Sequence, residues 1–327
     1  MWRSKFLVVA LVGGCTGEGK LGVVGDSGGV TTTSTTTPTG TGTGTGTTSA
    51  PTAWTAVTAA TYHACALTDL GTITCWGRDT EGEVDDTPTD AGYKAVRAGG
   101  YATVALDSEG YVVQWGQYVP QTDLPPGPQT YIDAGSGACS IAADDGSITC
   151  WGNSQWEGTY YFPPFIPPTG AYSAVAVTSR NACAIEAGSG ALVCWGDDQY
   201  GAVSGAPEGA YSAVDVAVTY GCALSASDGR LDCWGQKGDL APNGTYTAVS
   251  VAPSGVSACA LDVDGAVDCW GEDGVGVNLD GLEPEGSFES LSVGIAYACA
   301  VASGGGSITC WGEDSDGQIG LAPVGAP

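Results

Sequence analysis

Twelve of the thirteen cysteines in this chain come in pairs ten or eleven residues apart: Cys65 with Cys75, Cys139 with Cys150, Cys183 with Cys194, Cys222 with Cys233, Cys259 with Cys269 and Cys299 with Cys310. Thiols paired at a fixed spacing either hold a metal or cluster or oxidise to disulfides. The close Cys-x-x-Cys spacing of metal sites is missing from these pairs, and the chain holds one histidine, His63. Disulfides are the better reading. Between the first and second pairs the same spacing recurs with Val104 and Gln114 in place of the cysteines; both are lost together and no half remains, as covalent partners require. Directly opposed residues of an antiparallel strand pair lie about 4.5 to 5.5 Å apart at Cα, inside the disulfide window. Closing a loop of about eleven residues stabilises by up to roughly 2.7 kcal/mol in the chain-entropy model. Such bridges place the chain in an oxidising compartment.

Other reactive constellations are scarce. His63 sits beside a strand start with no recurring Ser or Cys partner, and reads as a packing or rim histidine. The acidic segments Glu313-Asp314-Ser315-Asp316-Gly317 and Asp197-Asp198-Gln199-Tyr200-Gly201 offer clustered oxygens of the kind calcium favours. The twelve-residue calcium loop with its terminal glutamate is absent, so they read as solvated connections. No glycine-rich phosphate cradle follows a strand and opens a helix. The sequence therefore implies no catalytic residue, no metal and no cofactor.

The elements that position the cysteines repeat seven times. Trp-Gly pairs stand at Trp76, Trp115, Trp151, Trp195, Trp234, Trp270 and Trp311, at intervals of 39, 36, 44, 39, 36 and 41 residues, a period that belongs to solenoids and propellers. Five residues before each tryptophan is a glycine: Gly71, Gly110, Gly146, Gly190, Gly229, Gly265 and Gly306. A short apolar run on either side, such as Cys65-Ala66-Leu67 and Ile73-Thr74-Cys75-Trp76, makes each unit a hairpin with a three- or four-residue loop. Cys65, Leu67, Ile73 and Cys75 fall on one face, Ala64, Ala66 and Trp76 on the other. Two apolar faces require a neighbouring sheet on each side. An upstream strand completes the unit, visible at Trp54–Val57, Tyr93–Val96, Tyr172–Val175, Tyr211–Val214, Tyr246–Val249 and Phe288–Leu291. The expected fold is an all-β, seven-bladed β-propeller with three to four short antiparallel strands per blade and a disulfide within each of six. No such strand follows the seventh Trp-Gly pair, so Trp54–Val57 is expected to close the ring beside the last blade.

Ahead of the repeats, Met1-Trp2-Arg3-Ser4-Lys5 and the apolar run from Phe6 to Val12 have the charged start and short core of an export signal, too short to span a bilayer. Val12-Gly13-Gly14-Cys15 resembles the lipobox of bacterial lipoproteins, and by that resemblance Cys15 is the lipidated N-terminus and accounts for the odd cysteine; the alternative is an ordinary cleaved signal with a free Cys15. Gly28 to Ala53 is nearly all Thr, Gly, Ser and Pro, a flexible tether. The organisation is thus 1–14 signal peptide, 15–53 tether and 54–327 propeller. Thirty-six acidic against nine basic residues give a net charge of −27. That charge repels phosphate backbones and anionic membrane surfaces, excluding nucleic acid as a partner and leaving the lipid as the membrane attachment. It also keeps a repeat protein soluble and monomeric.

The unit "CAL..DG.(I/V).CWG", followed by an acidic or polar loop and, in the last unit, Gln318-Ile319-Gly320, resembles the regulator of chromosome condensation repeat over residues 54 to 320. The resemblance implies a seven-bladed β-propeller. The family's eukaryotic namesake exchanges nucleotide on a small GTPase and binds chromatin, a role at odds with exported, disulfide-paired, acidic blades. The short repeat is also similar to propeller-type β-lactamase inhibitor proteins, whose ring face binds an enzyme, and to cysteine-paired repeats of bacterial surface lipoproteins. The function expected is a non-catalytic binding or adhesion scaffold at the cell surface or outer membrane, its partner a protein or a glycan. The alternatives are an enzyme inhibitor, which needs a contiguous aromatic and apolar face, and a polysaccharide-active enzyme, which needs carboxylates converging with His63 or an aromatic cradle in one pocket. The longest link between units carries Trp156, Tyr160, Tyr161, Phe162 and Phe165 among four prolines, and is the expected binding segment.

Overall fold

The computed structural model describes residues 50–116, 124–152, 155–156, 159–160, 166–236, 238–255, 257–271 and 279–327. Among them are seven three-stranded antiparallel sheets, each made of consecutive strands. The inner strands are Trp54–Ala59, Ala95–Ala98, Gln129–Ala134, Tyr172–Val177, Tyr211–Val216, Tyr246–Val251 and Phe288–Val293. The middle strands are His63–Thr68, Ala102–Leu106, Ala138–Ala142, Asn181–Glu186, Tyr220–Ser225, Ser257–Asp262 and Tyr297–Ala302. The outer strands, Ile73–Gly77, Val112–Gly116, Ile148–Trp151, Leu192–Gly196, Leu231–Gly235, Val267–Gly271 and Ile308–Gly312, end at the Trp-Gly pairs. The chain is a seven-bladed β-propeller.

Its core is a set of contacts between blades. Cys65, Leu67, Ile73 and Cys75 of the first blade pack against Tyr93, Val96, Ala105 and Trp115 of the second. Ala64, Ala66 and Trp76 on the opposite face pack against Cys299, Val301 and Ile308 of the seventh. Each joint so described sets one blade's disulfide face under the next blade's tryptophan, which is why neither face of the hairpin alternates with polar residues.

Six disulfides join directly opposed residues of the middle and outer strands: Cys65 with Cys75, Cys139 with Cys150, Cys183 with Cys194, Cys222 with Cys233, Cys259 with Cys269 and Cys299 with Cys310. Their Cα separations are 4.0 to 4.1 Å, shorter than the opposed-pair distance expected from the sequence. The two ends of a bridge differ in environment. Every middle-strand cysteine is fully buried, whereas Cys150, Cys194, Cys233 and Cys310 of the outer strands are half-buried. Cys75 and Cys269 are the outer-strand cysteines that stay buried.

In the second blade Val104 lies opposite Gln114. Here the indole Nε1 of Trp151 donates to Gln114 Oε1 at 2.9 Å, so the glutamine gives the next blade's tryptophan an acceptor. In three other blades the indole uses a backbone carbonyl seven residues beyond the preceding blade's tryptophan: Trp76 to Gln318 O, Trp115 to Glu83 O and Trp234 to Ala202 O, at 2.8 to 3.0 Å.

The hairpin glycines serve the turn and the joint together. Gly71 has φ +75°, and a Cβ there would come within 2.5 Å of the backbone N and O of Tyr93. Its carbonyl accepts the N–H of Tyr93 at 3.0 Å, the first contact of the next inner strand. The same bond recurs around the ring, and it joins the ends: Trp54 N–H donates to Gly305 O at 3.1 Å. In that last turn the role falls to Gly305, with φ +71°, one residue before the expected Gly306. Ser303-Gly304-Gly305-Gly306 holds three glycines, so the positive φ is free to move along the loop. Closure also differs from the strand donation expected. Trp54–Ala59 does lie beside the last blade, but it pairs with His63–Thr68 in its own blade, and the seventh blade carries three strands of its own. Contacts to the first blade begin at Thr52, whose N–H and hydroxyl both donate to the Asp69 carboxylate.

The inner strand Gln129–Ala134 escaped the sequence pattern because Gln129 and Tyr131 stand where the other six blades have an aromatic residue and Ala or Ser, as in Tyr172 and Ala174.

Candidate functional site

One position of the inner strand, repeated around the ring, builds the channel wall: Thr58, Arg97, Asp133, Ala176, Asp215, Ser250 and Ser292 all line it. Inner strands of adjacent blades are not paired, so the N–H of the following residue in each needs an acceptor. Thr58 Oγ1 accepts from Ala98 at 3.1 Å, Ser250 Oγ from Val293 at 3.1 Å and Ser292 Oγ from Ala59 at 2.8 Å, each reaching from one blade to the next. Arg97 and Ala176 offer no acceptor forward. In both cases the next blade supplies an aspartate that serves two donors. Asp215 accepts Val216 N–H with Oδ1 and Val251 N–H with Oδ2, both at 2.8 Å. Asp133 likewise accepts from its own neighbour Ala134 and, at 2.8 Å, from Val177. The two carboxylates are therefore a structural answer to the two gaps.

They are also charges inside a narrow lumen. Burial pushes the pKa of both upward. Asp133 is held back by Arg97, whose Nε lies 3.7 Å from its Oδ1. Asp215 is pushed up to about 7 by burial first and the Asp133 charge second. Both retain partial contact with the lumen, but most of each carboxyl is enclosed by the blades, so desolvation decides the direction. Tyr131, whose phenol burial also raises, leans over Ala174 and Ala176 toward Val214 and Val216.

The channel encloses about 150 Å³. At one end its lining includes Thr61, Gly100, Ser136, Ser179 and Pro253, from the turns between inner and middle strands; toward the strand starts it stops at Tyr131. It is a funnel with an uncharged mouth. Beside the mouth the rings of Tyr62 and Tyr101 stand 5.4 Å apart, with the Arg78 guanidinium 4.4 Å from the first centroid and 5.7 Å from the second. Arg78 is held by its backbone N–H on Tyr62 O and by Nε on Thr80 Oγ1 at 2.8 Å. The opposite face presents the hairpin turns, whose acids Asp69, Asp107, Asp145, Asp228 and Asp262 cap nearby backbone N–H groups.

His63 is fully buried, donates to or accepts from Thr103 Oγ1 at 2.7 Å through Nε2, and is lowered to about 4 by desolvation. It does not line the channel, so the carboxylates there converge with Tyr131 and not with the histidine. The acidic links are turn caps: Asp198 Oδ1 accepts from Val203 and Ser204, and Asp314 from Ile319 and Gly320. Of the expected binding segment, Gln155–Trp156 pairs with Thr159–Tyr160 as a two-residue hairpin, while Tyr161, Phe162 and Phe165, like Cys15, lie outside the described residues. Sequence reasoning missed Arg97, Asp133 and Asp215. The signal was there: aligning the inner strands on Val96, Ile132 and Val214 leaves one column that is polar in six of the seven blades.

A model of the regulator of chromosome condensation (RCC1) repeat matches residues 54–83, one inner strand, its hairpin and the start of the following link. No curated protein matches the chain. Among solved structures, the CRINKLY WD40 ectodomain of the Arabidopsis thaliana receptor kinase ACR4 is similar at TM-score 0.68 and 20% identity, over 84% of this chain and 100% of that one. The ectodomain of the Physcomitrella patens receptor kinase CR4 is similar at TM-score 0.63 and 18% identity, over 80% of this chain and 74% of that one. Prp20p of Saccharomyces cerevisiae, described with its binding properties to Gsp1p and histones, is similar at TM-score 0.60 and 15% identity, over 77% of this chain and 84% of that one. The chain is a seven-bladed β-propeller whose first repeat matches the RCC1 repeat and whose fold is similar to that of Prp20p.

Proposed function

We propose that this protein is an exported, lipid-anchored binding scaffold at the bacterial cell surface, with no catalysis of its own, and that it meets its partner with the mouth face of the ring. The observation that carries this reading is the group beside the mouth, where the rings of Tyr62 and Tyr101 stand 5.4 Å apart with the Arg78 guanidinium 4.4 Å from the first. Tyrosine and arginine on a rigid frame are the residue types that dominate binding hot spots. The two lumen carboxylates hold the backbone of neighbouring blades, which favours binding over hydrolysis. Six disulfides support an oxidising, extracytoplasmic setting. Residues 1–14 act as the signal, Cys15 carries the lipid and residues 15–53 tether the ring.

The test compares envelope proteins and glycans captured by the immobilised ring and by its Tyr62→Ala/Tyr101→Ala variant at equal loading. Loss of specific ligands from the variant, with melting unchanged, supports the reading; an identical captured set refutes it. Detergent-phase partitioning abolished by Cys15→Ser tests the anchor.

A further inference from the structure

The channel contains a charge imbalance that the fold does not resolve. Its lining holds two carboxylates, Asp133 and Asp215, against one cation, Arg97, and Arg97 sits beside Asp133. No ion pair involves Asp215 among the described residues. Around it the lumen surface is mainly polar, with Ser250 and Ser292 at the matching position of the next two inner strands, while Val57, Val175, Val214, Val249 and Leu291 are buried in the joints between blades. A charge without a counterion inside a narrow lumen attracts an opposite charge more strongly than it would at an open surface. The funnel is open and has room for on the order of ten waters, so a ligand can reach it without parting the blades.

We propose that this channel is a receptor for a primary alkylammonium group, entering from the mouth with its charged end at Asp215 and its hydrocarbon stem along the lumen. An ammonium brings three donors, and the Asp215 carboxylate, which accepts one backbone N–H on each oxygen and a hydrogen bond from Ser250, keeps lone pairs to receive it. A divalent metal fits less well, because each oxygen of Asp215 already accepts a backbone N–H and no group of three His, Cys, Asp or Glu side chains is assembled among the described residues. A lysine side chain has this form, an apolar stem and a cationic tip. The inference rests on the reading of the mouth as the binding face, and gives that face an axial anchor.

The test titrates the intact ring with n-butylammonium chloride, with n-butanol and sodium butyrate as controls, at constant ionic strength and pH 8. Saturable binding of the amine alone is expected, weakened at least tenfold by Asp215→Asn. Should that variant fail to fold, Ser179→Lys at the mouth supplies a second reading. It sets a tethered cation over the lumen and should weaken amine binding, whereas Ser227→Lys on the hairpin face should leave it unchanged. Absence of saturable binding, or equal binding by wild type, Asp215→Asn and Ser179→Lys, overturns the proposal. A hairpin peptide with one lysine at its tip, compared with its Nε-acetylated form, distinguishes a protein lysine from a free amine as the source. If the amine binds but Tyr62→Ala/Tyr101→Ala captures everything the wild type does, the channel site stands and the scaffold face falls; the opposite pair of results keeps the scaffold face and removes the channel site.

Discussion

Asp215 and His63 should pull the stability of the ring in opposite directions with pH, and replacing either should expose the other. Asp215 has a folded value of about 7 against 3.8 for the free carboxyl, so over this interval the folded state holds more protons than the unfolded one. Its contribution is complete below pH 3.8 and is lost as pH rises through 7. A difference of about three, at 1.36 kcal/mol for each, sets the size at about 4 kcal/mol. Asp133 acts in the same direction, moderated by Arg97, while Tyr131 stays neutral throughout this range because burial raises it further. His63 does the reverse. Its folded value of about 4 lies below the ordinary 6.5, through burial and despite Asp79, so its contribution is present above pH 6.5 and lost as pH falls toward 4. That is about 3 kcal/mol. The two largely cancel in the native protein, which should show a shallow profile between pH 4 and 7. Asp215→Asn should be destabilised relative to wild type near pH 4 and gain on it by about 4 kcal/mol by pH 8. His63→Asn, which installs the residue found at the matching position as Asn181, should lose relative to wild type by about 3 kcal/mol over pH 4 to 7. Urea unfolding at half-unit pH steps, followed by tryptophan fluorescence with the disulfides intact, measures both. A profile for Asp215→Asn that runs parallel to wild type would refute the assignment of an unpaired carboxylate to the lumen.

Three further outcomes follow from the joints between blades. Trp54→Ala removes a buried ring that packs on the seventh blade and should cost about 3 to 5 kcal/mol in one cooperative transition; loss of the first blade alone, with the rest melting as before, would contradict closure. Gln114→Leu leaves the Trp151 indole N–H without its acceptor and should cost about 1 to 3 kcal/mol, whereas the cysteine pair Val104→Cys/Gln114→Cys should bridge and recover part of that loss. Intact mass of the protein before and after reduction should differ by six pairs of hydrogens, and ring cysteines that alkylate without reduction would rule out the bridges.

The blade was legible in the sequence because its signals are local. Two cysteines, a glycine and a Trp-Gly pair within about a dozen residues define a hairpin, and apolar residues on both faces require neighbours. The channel was not legible in the same way. Arg97, Asp133 and Asp215 look like ordinary breaks in strand alternation until the seven inner strands are stacked, because the partner of each aspartate is a backbone N–H in another blade some 40 residues away. Gln114 shows both sides. Its pairing with Val104 reveals that two cysteines are missing, but its reason for being glutamine is the indole of Trp151 in the next repeat.

The bond from Trp54 N–H to Gly305 O is chemically the same as the bond from Tyr93 to Gly71 or from Phe288 to Gly265. The joint between the chain's last and first blades thus uses the contacts of the other six joints and lacks only the covalent link. Where the polypeptide is cut is then a matter of sequence and not of architecture. A circular permutant that fuses Gly325 to Thr52 through a short linker and opens the chain between two other blades should build the same ring, with its new termini at any of the other six joints.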